Sequence, residues 1–213
     1  MKTDDLIADL SETLTPVPRH AVLWRLVQGT GAGALVSFLI LWAWLGFRPD
    51  LAQAVDTSMY WVKFFYTLSL ALFAFWATER LARPSSKAGW PLFGVAFVIL
   101  ALTFLSGMRM MHTPADERMH VLMGHSSHVC PFLIAILSVP IFIGTFWSLR
   151  ALAPTRTVLA GAVAGFASGA LGAWIYAFRC DETTAPFLLV FFTLGMALVG
   201  LAGAAIARRV LRW

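Results

Sequence analysis

The chain has 213 residues, 59% hydrophobic and 13% charged, with a formal net charge of +5. A soluble domain carries about 25% charge and shorter apolar runs, so this composition excludes an ordinary soluble fold and points to an all-α, polytopic membrane protein. The basic residues cluster beside the apolar runs, where topology explains them, so the positive balance does not argue for direct nucleic-acid binding.

Residues 3–15 read Thr-Asp-Asp-Leu-Ile-Ala-Asp-Leu-Ser-Glu-Thr-Leu-Thr. Thr3 suits an N-cap, and Asp4 and Asp5 suit the positive end of a helix. Leu6, Ile7, Leu10 and Leu14 recur at helical spacing as one apolar stripe, and Pro16 and Pro18 stop the helix. A helix of about eleven residues is marginal in water unless its stripe is covered. With Asp4, Asp5, Asp9 and Glu12 and no basic residue, it is repelled by anionic headgroups. A protein groove with basic surroundings matches it better, the other reading being a solvated or locally packed segment. Residues 1–20 are therefore taken as a tail and 21–213 as a six-helix transmembrane domain. The tail is net acidic, unlike the start of a secretory signal, so the first apolar run is expected to be retained as a span.

Six spans are predicted: about Leu26–Phe47, Ser58–Thr78, Trp90–Met108, Val129–Leu149, Thr157–Phe178 and Pro186–Ala207. Near their ends, one side collects eleven Lys and Arg (Lys2, Arg19, Arg25, Arg80, Arg83, Lys87, Arg150, Arg156, Arg208, Arg209 and Arg212). The other side has four, Arg48, Arg109, Arg118 and Arg179. The positive-inside rule then puts both termini in the cytoplasm. Lys63 lies about one turn inside the second span and is expected to snorkel outward. Trp42, Trp44, Tyr60, Trp61, Trp174 and Tyr176 are expected at the outer interface. No Asp, Glu or His falls in the middle of a span, which weighs against a proton-coupled transporter. Gly161, Gly165 and Gly169 in the fifth span and Gly29 and Gly33 in the first form stripes that let helix backbones approach closely.

The outer loop 109–128 concentrates donor atoms. His112, His120, His125 and His128, with Met108, Met110, Met111, Met119 and Met123, fall between 108 and 128, and Cys130 follows. Thiolate and thioether ligands favour soft ions such as Cu(I), and imidazole suits copper or zinc. The candidate ligand set is Cys130, Cys180, His125 and His128, extended by Met108, Met110, Met111, His112 and His120; no resident cofactor is required, and copper or another soft metal is the transient ligand. His125 and His128 share a face if the fourth helix starts early. An ordinary amphipathic loop resting on the bilayer is the competing reading. Cys130 opens the fourth span and Cys180 closes the fifth, about 20 residues up and about 24 residues down, so both thiols lie at similar depth. They form either a sensing pair or a permanent structural disulfide.

The C-terminal half carries Ser127-x-x-Cys130, Leu137-Ser138-x-Pro140, Leu149-Arg150-x-x-Ala153-Pro154-Thr155, Ala160-Gly161-x-x-Ala164-Gly165, Tyr176-x-x-x-Cys180-x-Glu182 and Ala185-Pro186-Phe187. With Thr3-Asp4-Asp5-Leu6-Ile7, this pattern resembles the NrsF family of bacterial inner-membrane anti-sigma factors, densely over about 124–210 and thinly through spans one to three. The resemblance implies six spans, an N-terminal segment that holds an extracytoplasmic-function sigma factor, and a periplasmic cysteine pair needed for the response to metal stress, here Cys130 and Cys180.

The expected protein is a non-enzymatic membrane sensor. Asp4, Asp5, Leu6, Ile7, Leu10 and Leu14 bind the sigma factor, and metal or oxidation at Cys130 and Cys180 releases it. The alternatives are a small permease or metal-handling protein, or a scaffold with a structural disulfide.

Overall fold

A computed structural model describes Thr3, Pro18 and residues 20–83 and 88–211. The sigma-binding positions expected at Asp4, Asp5, Leu6, Ile7, Leu10 and Leu14 lie outside the described residues. The described chain is helical, and six helices are long and apolar enough to cross a membrane.

The first is α1 (Ala21–Ile40), which continues as a π-helical turn over Leu41–Leu45. The short α2 (Leu51–Ala54) leads into α3 (Ser58–Leu81) and α4 (Trp90–Met111). The loop expected over 109–128 holds one short helix, α5 (Arg118–Met123). Then come α6 (Cys130–Arg150) and α7 (Thr157–Tyr176). The last span opens as α8 (Ala185–Phe187), passes through a π-helical stretch at Leu188–Phe192 and ends as α9 (Thr193–Val210). Prolines stand in the first turns of α4, α6 and α8, where the missing N–H breaks no bond. Each expected span has its helix, with ends displaced by a few residues.

Small residues decide how the helices pack. The α7 stripe faces α9: a Cβ at Gly161 would meet Gly203 and Ala207, at Gly165 the Val199 carbonyl, and at Gly169 Met196. The α1 stripe faces α6, where a Cβ at Gly29 would meet Gly144 and Ser148, and at Gly33 Pro140 and Ile141. These stripes therefore serve packing within one chain. Hydroxyls stitch the α1–α6 seam: Ser37 Oγ donates to the Leu137 carbonyl, Ser148 Oγ to the Arg25 carbonyl at 2.8 Å, and Thr30 and Thr145 share a 3.0 Å bond. Each such bond between membrane helices contributes about 0.6 kcal/mol.

α7 is the hub, in contact with α9, α3 and α6, while α4 leans mainly on α3 and exposes Phe93, Phe97, Leu100 and Phe104. The main core gathers Leu41, Tyr66, Leu70, Ile134, Leu137, Phe187 and Phe192 around both cysteines. Of the aromatics expected at an interface, Trp42, Trp44 and Trp61 are exposed, but Tyr60 and Tyr176 are buried. Phenol hydroxyls find partners inside a bundle, and Tyr176 does so on Cys130.

Candidate functional site

Cys130 is the first residue of α6, and Cys180 lies in the connection between α7 and α8. Their Sγ atoms are 3.9 Å apart, and both thiols are free and buried. A disulfide bond length is about 2.05 Å, so the sulfurs are in contact without being bonded. Fifty residues separate them, yet the antiparallel pair α6 and α7 returns the chain to the same depth, as the residue counts predicted.

Three groups hold the pair. Tyr176 Oη lies 3.3 Å from Cys130 Sγ. Lys63 Nζ donates to the Cys180 carbonyl at 2.9 Å, with its charged end 5.9 Å from the Phe192 ring centre. Glu182 accepts the backbone N–H groups of His125 and Ser126. Lys63 therefore does not snorkel: its side chain turns into the bundle and is 1% exposed. The carbonyl of a non-helical segment at the depth of the span gives the ammonium a partner that lipid lacks.

Beside them, Arg48 is buried and its guanidinium forms a two-pronged pair with Asp50 at 2.8 and 2.5 Å, while its backbone N–H donates to the Phe178 carbonyl at 3.3 Å. That pairing raises the Arg48 pKa and lowers that of Asp50.

The Cys180 thiol titrates lower than usual, at about 7. The hydrogen bond from Cys130 does most of this, burial opposes it, and the Lys63 ammonium assists. Thiolate is the nucleophilic and metal-binding form, and Cys180 is the member of the pair whose ionisation its neighbours favour. A cleft of about 460 Å³ reaches it, lined by Trp44, His125, Tyr176, Arg179 and Asp181 among others.

The other expected ligands are more dispersed. His112, His120, His125 and His128 are exposed, as are Met108, Met111, Met119 and Met123, and Met110 is half-buried. The His120 and His125 rings lie 5.4 Å apart. His125 and His128 fall in a run of turns at 124–129, because α6 begins only at Cys130. Among the described residues, no group of three or more His, Cys, Asp and Glu is placed to hold a metal ion. The structure thus brings together Cys130 and Cys180, and sets His125 at the mouth of their cleft.

Lys63 and Glu182 have no assigned role in the sequence reading. The signal for Lys63 was available, since an ionisable residue within a span marks function by default. Glu182 was visible as part of the Tyr176-x-x-x-Cys180-x-Glu182 pattern.

The family model described as negative regulator of sigma F (NrsF) matches residues 10–213. A probable anti-sigma-F factor NrsF from Azospira oryzae is 34% identical over 213 residues, covering 100% of both chains. An anti-sigma-F factor NrsF from Caulobacter vibrioides is 37% identical over 221 residues, again covering 100% of both. No solved structure matches the chain.

Proposed function

The chain belongs to the NrsF family of negative regulators of sigma F, and from that premise we propose that it is a membrane anti-sigma factor whose thiol pair is its sensor. Such a protein is regulatory, not catalytic, and its partner is a sigma factor. The sigma factor is of the extracytoplasmic-function type and is held by the tail through Asp4, Asp5, Leu6, Ile7, Leu10 and Leu14. The bias of eleven basic residues against four supports an inner-membrane arrangement with cytoplasmic termini and periplasmic cysteines.

The observation that carries the sensing role is the 3.9 Å contact between two free, buried sulfurs at the end of a polar cleft. Two thiols at that separation can close on oxidation or hold one soft metal ion between them, copper being the favoured candidate. In either event α6 is disturbed at its first turn. α6 packs along α1, whose start follows the tail, so the α1–α6 seam is the shortest mechanical route between the two ends. A hundredfold loss of sigma affinity needs only about 2.7 kcal/mol of coupling.

The test is replacement of both cysteines by serine. Repression should persist and the response to metal or oxidant should vanish. A doubly substituted protein that responds normally removes the thiols from the mechanism, and a protein whose partner release never changes with mild reductant or metal is a scaffold.

A further inference from the structure

Glu182 makes a second tie between the two cysteine-bearing segments, which the sensing scheme above does not use. Its side chain is buried, and its Oε1 accepts the N–H of His125 at 2.6 Å and that of Ser126 at 3.2 Å. Gly124 makes room for this. Its φ of +53° lies in the left-handed region, and a Cβ there would sit 2.6 Å from both carboxylate oxygens. Two residues beyond Glu182, Thr184 Oγ1 donates to the Val121 carbonyl at 2.9 Å. The Ser126 carbonyl in turn accepts the Cys130 N–H at 3.0 Å.

These contacts form a continuous path from the Cys180 segment to the start of α6, running beside the gap between the sulfurs. Among the described residues, no buried cation lies within ion-pair distance of the carboxylate. The imidazole of His125 is 4.0 Å away and 81% exposed, and Arg48 is committed to Asp50. A buried carboxylate bonded to backbone N–H groups makes strong, charge-assisted contacts and is costly unless they are kept.

We infer that Glu182 is a positioning residue for the thiol pair: by pinning the His125–Ser126 turn to the Cys180 segment, it keeps both sulfurs within reach of one reagent. The inference rests on the dithiol reading above. A dithiol reaction has an intermolecular first step and an intramolecular second step, and only the second depends on register. Releasing the clasp leaves each thiol able to react singly while slowing closure.

Diamide provides the probe. One thiolate adds to its N=N bond, and the second attacks that sulfur. The S–S bond forms as the S–N bond breaks, and the reduced hydrazine departs with the two protons the thiols gave up. The whole chain in membrane vesicles is compared as wild type, Glu182→Ala, Glu182→Gln and Gly124→Ala, following disulfide closure by diamide and, separately, the first alkylation by iodoacetamide. Glu182→Ala and Gly124→Ala should slow closure about tenfold, with alkylation within about twofold of wild type. Glu182→Gln keeps an amide oxygen for both N–H groups and should close at nearly the wild-type rate. Closure of Glu182→Ala at the wild-type rate overturns the inference, as does alkylation that falls in step with closure, or Glu182→Gln as slow as Glu182→Ala. Should Glu182→Ala fail to fold, Gly124→Ala and Thr184→Val, which loosen the same clasp from its other sides, decide the matter by the same criteria. Failure of the dithiol reading itself is read elsewhere, in the stress response of the doubly serine-substituted protein.

Discussion

Lys63 gives its hydrogen bond to the backbone carbonyl of Cys180, 2.9 Å away, from a position 1% exposed within a membrane span. Among the described residues, no carboxylate lies within ion-pair distance of it. A charge at the middle of a membrane helix costs roughly 2.5–3.5 kcal/mol on insertion scales, and a place near the end of the span lowers but does not remove that cost. The ammonium ties α3 to the thiol segment and sets a positive charge beside two sulfurs.

The pH profile of thiol labelling should report this charge. Alkylation follows the thiolate fraction, so the Cys180 rate should climb through pH of about 7, well below the ordinary 9.0 for a thiol. The ammonium favours the charged form of the thiol, so Lys63→Met should move the midpoint upward, and Lys63→Arg should restore part of the shift. Site-resolved mass spectrometry of alkylated peptides across a pH series measures it. An unmoved midpoint in Lys63→Met separates the lysine from thiol reactivity.

The helix seams make a second prediction through Gly29 and Gly31, two residues apart on opposite faces of α1. A Cβ at Gly29 would fall against the Gly144 backbone, whereas at Gly31 it would meet nothing within 4 Å. Gly29→Ala should destabilise the bundle by about 1–3 kcal/mol through overpacking. Gly31→Ala should be neutral, or stabilising by about 0.5–1 kcal/mol from reduced backbone freedom. Unfolding titrations in mixed micelles compare the two, and equal effects would mean that the α1–α6 contact is not tight at Gly29.

Much of this was legible from hydropathy, and the reasons for the remainder are physical. Long, predominantly apolar runs marked all six spans, because a helix needs about 20 such residues to cross the hydrocarbon layer. Equal depth of Cys130 and Cys180 followed from counting rise per residue along α6 and α7. The direction of Lys63 did not follow, because a span apolar all round does not reveal its lipid face. The structure places Lys63 on one stripe with Thr67, Leu70, Ala74, Ala77 and Leu81, all buried. That stripe is rich in small residues, which is the signal that identifies a protein-facing side within a membrane. The clasp at Glu182 depends on a left-handed Gly124 and on backbone N–H groups, neither of which periodicity reports.

The exposed loop donors yield a third prediction. The side chains of Met111, Met119, His120 and His125 are exposed, outside the core that surrounds the cysteines. Soft-metal affinity should therefore divide in two. Replacing the histidines and methionines of 108–128 should weaken copper binding severalfold, and replacing Cys130 and Cys180 should abolish its high-affinity component. Titration with Cu(I) against a competing chelator reads both, and an unchanged isotherm after loop replacement returns the loop to a surface role.

The last prediction concerns the tail, where sequence alone supplies the pattern. Leu6, Ile7, Leu10 and Leu14 define one apolar stripe, and Asp4, Asp5, Asp9 and Glu12 give the segment a negative charge on a strongly basic chain. Recognition in a basic groove would use both features: the stripe for affinity, the acids for rapid and selective encounter. Leu10→Ala and Leu14→Ala should each weaken capture of the sigma factor by about tenfold or more, since each removes an anchor of about 1.5–3 kcal/mol. Neutralising Asp4 and Asp5 should instead slow association and flatten its dependence on salt. Pull-down with a tail deletion of residues 1–15 gives the limiting case, in which capture should be lost while the membrane bundle and its thiol chemistry remain. Capture that survives the deletion would move the binding surface to the loops between the spans.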